Sequence, residues 1–188
     1  MTWLVVGLGN PGPTYASTRH NVGYMVVDAL SGRMGGKLRK HRSGRAEVLE
    51  GRLAGERAVL VRARSFMNES GGPVSTVMKF FDVEPDHLVA VHDELDIDFG
   101  QLRVKIGGGD NGHNGLKSIR QSIGTGDFHR ARFGIGRPSG RQDVHDFVLS
   151  GFGSAERKEL DLNVELAADA VESLIAHGLA RTQQDFNS

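Results

Sequence analysis

The sequence predicts an α/β domain around a mixed, mostly parallel β-sheet flanked by helices, with a hairpin near residues 46–62. Three observations lead there. Short apolar runs with strand character alternate with stretches of helical spacing, and one pair of runs is separated only by a turn. The chain of 188 residues, 38% hydrophobic, suffices for one sizeable core. A single domain over residues 1–188 is therefore expected.

Thr2 to Leu8 is rich in β-formers and ends in Gly-x-Gly, the pattern of a buried strand. An irregular loop over 9–20 follows, then Val22, Met25, Val26, Ala29 and Leu30 at helical spacing. Ala46 to Leu53 and Arg57 to Arg62 flank Ala54-Gly55-Glu56 and predict the hairpin. Pro73 suits a first helical position, and Val74, Val77, Met78 and Phe81 form the apolar stripe behind it. Leu88 to Val91 predicts a buried strand, Gln101 to Ile106 an alternating one, and Leu116, Ile119 and Ile123 a helix. Arg130 to Ile135 predicts the last strand. Ser154 is placed to cap a long final helix, with Leu160, Val164, Ala167, Ala168, Val171, Leu174 and Ile175 inward and Glu156, Glu159, Glu165, Asp169 and Glu172 toward water.

Composition excludes several classes. With no Cys, disulfides and thiolate zinc sites are impossible. No apolar run approaches the ~18 residues of a membrane span, and Met1 to Val6 lacks a basic leader region and cleavage site. A cytosolic chain without membrane contact is expected. Net charge is zero, yet basic and acidic residues number 7 and 1 over residues 1–45, 5 and 11 over 46–98, 8 and 2 over 99–141, and 3 and 9 over 142–188. If the two basic segments share a face, that face attracts phosphates; otherwise they are scattered solvated surface.

Gly7-Leu8-Gly9-Asn10-Pro11-Gly12 matches the dinucleotide fingerprint formally, but Pro11 and Pro13 interrupt it and the helical pattern begins only near Asn21. The glycines better serve to bring Asn10 close to a ligand. In Gly107 to Gly115, His113-Asn114 stands where a phosphate-binding loop has Lys-Ser/Thr, which disfavours nucleotide hydrolysis. No G-x-S-x-G elbow and no Cys supply a nucleophile. Asn10, Asn68 and Asn114 each lie in a Gly-flanked loop before a predicted helix. Singly, such amides are turn formers or caps. Together with His20 before a helix and Asp93 after a strand, they compose a base, an orienting carboxylate and amide donors, a set suited to attack of water on a carbonyl.

In order along the chain, V-G-L-G-N-P-G (6–12), T-R-H-N-V-G (18–23), F-M-N-E-S-G (66–71), H-D-E-L-D (92–96), G-G-G-x-x-G-H-N-G-L-K-S-I (107–119) and F-H-R-x-R-x-G-I-G (128–136) resemble the motifs of bacterial-type peptidyl-tRNA hydrolases. The resemblance implies cleavage of the ester between a peptide and the 3′-terminal ribose of tRNA, by a monomer needing no cofactor and no metal. It implies His20 as general base, Asp93 as its orienter, Asn10 and Asn114 at the peptidyl end and Asn68 on the oxyanion. Tyr15 is implied beside the terminal adenosine, with Phe66 or Met67 in the pocket wall, where core packing is an equal alternative. His113 joins the substrate-binding set, and Lys105 and Arg132, with Arg103 beside them, are implied on the 5′-phosphate and acceptor stem. No role passes to Asp110 or Asn111. Two readings remain beside it: a noncatalytic RNA-binding module, and a metal-dependent esterase or nuclease using His92, Asp93, Asp96 and Asp98.

Overall fold

The computed structural model describes residues 1–187. The chain opens with β1 (Thr2–Gly7) and α1 (Val22–Arg33), joined through a 3-10 turn at Arg19–Asn21. A short β2 (Arg39–Lys40) precedes the hairpin β3 (Ala46–Leu53) and β4 (Glu56–Ala63). A 3-10 turn at Met67–Glu69 leads into α2 (Gly71–Phe81), then β5 (Leu88–Glu94) and β6 (Leu102–Ile106). The order closes with α3 (Asn114–Ile123), β7 (His129–Gly134), α4 (Val144–Val148), α5 (Ser154–His177) and α6 (Leu179–Phe186).

The sheet is mixed, as expected, with seven strands in the order β2-β3-β4-β1-β5-β7-β6. Its four central strands, β4, β1, β5 and β7, are parallel, while β2, β3 and β6 join antiparallel at the edges. Parallel and antiparallel pairings are thus equal in number, three each, and the parallel part is confined to the centre. Central strands are covered on both faces, which is why β1 and β5 read as continuous apolar runs. On one face Val5, Leu60, Val89 and Val91 pack with α1 and α5; on the other Leu4, Val6, Val59 and Ala90 pack with α2 and α3. Among the described residues no helix is long and apolar enough to cross a membrane.

Several boundaries differ from expectation for identifiable reasons. The hairpin turn has two residues, Ala54 and Gly55, both at positive φ (52° and 82°), the conformation that suits the twist of adjoining strands. Helix α2 starts two residues before Pro73, whose missing N–H is harmless anywhere in a first turn. Strand β5 runs on to Glu94, so Asp93 is its penultimate residue rather than the one after it. Gly153, not Ser154, caps α5, and Glu156 Oε1 accepts the Gly153 N–H at 2.9 Å. The predicted final helix ends at His177, before Gly178 at φ 82°, and an unpredicted α6 follows along β6, where Asn187 Oδ1 accepts the Val104 N–H at 2.8 Å and covers that sheet edge.

The acidic face of α5 is more than solvated surface. Arg33 of α1 reaches Glu165 at 2.5 Å, Asp169 at 2.8 Å and Glu172 at 2.5 Å, and Arg19 reaches Glu156 at 3.0 Å. Burial opposes charge on Arg33, but hydrogen bonds to the three carboxylates hold its guanidinium well above its ordinary value. Arg19 fastens the start of α5 beside the turn that carries His20, and Arg33, at the far end of α1, fastens its middle.

Candidate active site

The carboxyl ends of β1 and β5 and the start of α1 meet through glycine. A Cβ on Gly7 would stand 2.2 Å from Gly23 O, and one on Gly23 would stand 2.3 Å from Val91 O. Only backbone fits there, so the first turn of α1 lies directly on the ends of the central strands. That contact brings His20, in the 3-10 turn just before α1, over Asp93. His20 Nδ1 and Asp93 Oδ2 are 2.8 Å apart.

Asp93 has a second imidazole partner. His113, read from sequence as a substrate contact, caps α3 with its ring: Nδ1 accepts the backbone N–H of Gly115 at 3.1 Å and of Leu116 at 3.4 Å. Its Nε2 therefore carries the proton and donates it to Asp93 Oδ1 at 2.8 Å. Burial works to raise the Asp93 carboxyl, and the imidazoles of His113 and His20 outweigh it and hold the group well below the usual carboxylate range. An ionised Asp93 only accepts, so His20 donates Nδ1–H and keeps the lone pair of Nε2. His92, on the opposite face of β5, is fully buried, bonds Asp93 O through Nδ1 at 2.8 Å, and is pushed down to about 3, chiefly by burial.

Asn10 is held by its backbone. Asn21 accepts the Asn10 N–H and donates to Asn10 O, both at 2.9 Å, imitating a strand partner where the chain has left the sheet. Asn10 Oδ1 accepts the Met67 N–H at 2.7 Å, leaving the Nδ2 donors for the cavity. This cavity measures about 470 Å³ and is lined by Asn10, His20, Asp93 and His113, with Asn68 and Asn114 exposed on its wall. Asn114 is the first residue of α3, not the loop residue expected, because His113 takes the capping role. Tyr15 lines the cavity, and its ring meets Phe66 edge-on, centroids 6.2 Å apart. The choice between Phe66 and Met67 is resolved by burial: Met67 is core and wall together, while Phe66 stands outside, half exposed.

Lys105, Arg132 and Arg103 lie beyond the cavity. Arg103 pairs opposite Arg132 and Lys105 opposite Arg130, so four cations share one face of β6 and β7. Burial first, and then Arg132 and Arg130, hold the Lys105 ammonium below its usual range. Arg130 was missed from sequence. Buried, it donates to the carbonyls of Gly108, Gly109 and Gly126 and pins the glycine-rich loop, and its signal was the alternation Arg130, Arg132. Asn111, given no role, bridges Glu94 at 3.0 Å and Asp96 at 2.6 Å. Helix α4, unpredicted, supplies Val144, His145 and Val148 to the cavity rim; Asp143, capping at 2.7 Å, was its signal.

The structure does not gather the acidic 92–98 stretch into a cation site. Asp96 is exposed and held by Arg137 at 2.7 Å, Asp98 is exposed, and His92 is buried with its Nδ1 on the Asp93 carbonyl and its ring edge-on to His113, centroids 5.0 Å apart. The grouping with ligand-like reach is His20, Asp93 and His113, with atoms within 4.8 Å of one another. Both Asp93 oxygens there already accept imidazole N–H groups, a donor set built for hydrogen bonding rather than coordination. The two basic clusters do not share a face either: residues 37–45 lie at the β2 edge, and Arg103, Lys105, Arg130 and Arg132 on β6 and β7 at the other.

Comparison with known proteins places this arrangement. The family model described as peptidyl-tRNA hydrolase matches residues 4–188. The chain is 59% identical over 191 residues to a peptidyl-tRNA hydrolase of Streptomyces coelicolor, covering 99% of this chain and 95% of the relative. It is 61% identical over 186 residues to one of Frankia casuarinae, covering 99% and 94%. The crystal structure of peptidyl-tRNA hydrolase from Acinetobacter baumannii superposes with a TM-score of 0.92 at 35% identity, over 100% of this chain and 95% of that one. Sequence and fold agree over the whole chain, and it belongs to the peptidyl-tRNA hydrolase family.

Proposed function

We propose that residues 1–188 form one catalytic domain that hydrolyses the ester joining a peptide, or an N-blocked amino acid, to the 3′-terminal ribose of tRNA. The observation that carries the reading is the 2.8 Å contact between His20 Nδ1 and Asp93, which leaves the His20 Nε2 lone pair for the amide-lined cavity. A water there gives one proton to Nε2 as its oxygen bonds to the ester carbonyl carbon. The tetrahedral oxyanion takes a hydrogen bond from the Asn68 amide. Collapse breaks the bond to the ribose 3′ oxygen, which receives the proton from His20. The peptide leaves as a carboxylic acid, and no covalent enzyme intermediate forms.

Asn10 Nδ2 and Asn114 hold the peptidyl end, and the Tyr15 and Phe66 rings flank the terminal adenosine. Lys105, Arg132 and Arg103 hold the 5′-phosphate and acceptor stem, where Arg forks onto phosphate oxygens and Lys supplies a compact charge. The site draws on one chain alone, and we read the enzyme as a monomer acting in the cytoplasm, where such a substrate arises. The test is release of free acyl-amino acid from N-acetylaminoacyl-tRNA by wild type and by His20→Ala, each with and without EDTA. Activity in the wild type, unaffected by chelator and lost in the variant, is expected. Tight tRNA binding without release would identify an RNA-binding module, and loss to EDTA would restore the metal-dependent reading.

A further inference from the structure

The cations of the first basic segment take no part in the ester site. Of its seven cations, Arg19 and Arg33 are bound by carboxylates of α5. The remaining five, Lys37, Arg39, Lys40, Arg42 and Arg45, fall within nine residues, all exposed, and none forms an ion pair with a described residue. Four of them line an open groove of about 510 Å³ at the β2 edge, whose floor is aromatic. Phe80 there is 51% exposed, its ring edge-on to buried His41 with centroids 4.7 Å apart, and Phe81 backs it at 4.9 Å. Arg42 lies over the Phe80 ring, 5.5 Å from its centroid. The one carboxylate in the lining, Glu50, is engaged by Arg57 at 3.1 Å.

We propose that this groove binds single-stranded RNA, one base stacking on Phe80 while Lys37, Arg39, Lys40 and Arg42 neutralise the flanking phosphates. Cations that track a backbone beside an exposed ring are the recurring chemistry of such sites. Protection of an edge strand explains charges on β2 itself; it does not explain a half-exposed Phe on the neighbouring helix beneath them. The opposite edge shows the contrast, since β6 is covered by Asn187 and needs no such device. The strand bound here is supplied in trans. The groove lies roughly 29 Å from the β6 edge, six strand spacings away. On the acceptor-stem reading above, the 3′ strand of the substrate ends at the ester between them, so it does not continue to β2.

The experiment is fluorescence anisotropy of a labelled oligoadenylate of about 12 nucleotides, a length within the span of such sites, titrated over a salt series. Lys40→Gln/Arg42→Gln should reduce the log-log salt slope by about 1.4, two single-strand phosphate contacts. Phe80→Ala, and Phe80→Leu as the variant that keeps apolar packing, should weaken binding roughly 5- to 150-fold through lost stacking. All three should release acyl-amino acid from N-acetylaminoacyl-tRNA at the wild-type rate, which separates this site from the catalytic one. Binding unchanged in every variant overturns the proposal and leaves a protected sheet edge. Loss in the charge variant alone makes the surface a general polyanion contact and overturns it too, as does equal competition by oligoglutamate, which would assign the groove to acidic peptides.

Discussion

Asp93 and His113 meet in a hydrogen bond whose direction is decided behind it: the N-terminal N–H groups of α3 occupy His113 Nδ1, so Nε2–H is aimed at Asp93 Oδ1, 2.8 Å away. The ring is thus committed to the protein at both nitrogens and offers substrate only a face. That geometry suits His113 to holding the carboxylate that contacts His20.

His113→Ala should lower kcat roughly 10- to 150-fold, the scale of one charge-assisted hydrogen bond, with little change in KM. Asp93 is held low first by His113 among its attractive partners, so removing that ring raises the carboxyl and loosens the partner of His20. His20→Ala should cost about 10²- to 10⁴-fold, and Asp93→Asn less than that. A kcat left unchanged in His113→Ala, or a rise in KM that accounts for the whole loss, would remove the positioning role.

Asn10→Asp keeps the oxygen that accepts the Met67 N–H and replaces only the donors aimed at the cavity. Folding should therefore survive. A carboxylate at that point attracts the ammonium of free aminoacyl-tRNA, so discrimination in favour of N-blocked substrates should fall. Comparing kcat/KM for acetylated and free forms of one aminoacyl-tRNA checks it, and unchanged selectivity would take Asn10 away from the acylated amino end.

Lys105→Ala/Arg132→Ala should raise KM for full-length substrate while sparing kcat, and reduce the log-log salt slope by roughly 1.4 to 1.8. A short acylated 3′ fragment lacks the acceptor-stem phosphates and should be cleaved equally by both enzymes. Equal losses on long and short substrates would mean that these cations support the fold instead.

Buried His92 makes the native state resist protonation, since its folded value, about 3, lies below its unfolded one of 6.5. Between those values the unfolded chain binds the extra proton, so stability falls as pH falls, by up to about 1.4 kcal/mol per pH unit from this group. Asp93, also lowered, acts only below the ordinary carboxylate value of 3.8. Urea midpoints of wild type and His92→Gln from pH 7 to about 4 isolate His92, and the variant should show a flatter slope whatever its absolute stability. Parallel slopes would show that His92 does not drive the acid sensitivity.

The sequence by itself determined the elements whose signal is local. Apolar runs marked the central strands, Ala54-Gly55-Glu56 marked the hairpin turn, and spacing marked α1 and α5, because periodicity and turn chemistry act within a few residues. The ordered motifs also brought forward His20, Asp93 and the three asparagines, which the structure gathers around one cavity. Tertiary structure decided what depends on contacts distant in the chain. Asp93 sits within β5, since β7 pairs with it through Glu94. Gly23 matters for the carbonyl of Val91, Asn21 for the backbone of Asn10, and Glu165, Asp169 and Glu172 for Arg33. The cations at residues 37–45 and those on β6 and β7 came to rest at opposite sheet edges because strand order, not strand sequence, sets that distance. Hydrogen-bond and ion-pair partners are chosen by the folded geometry, and a side chain's local pattern carries no record of which partner it will meet.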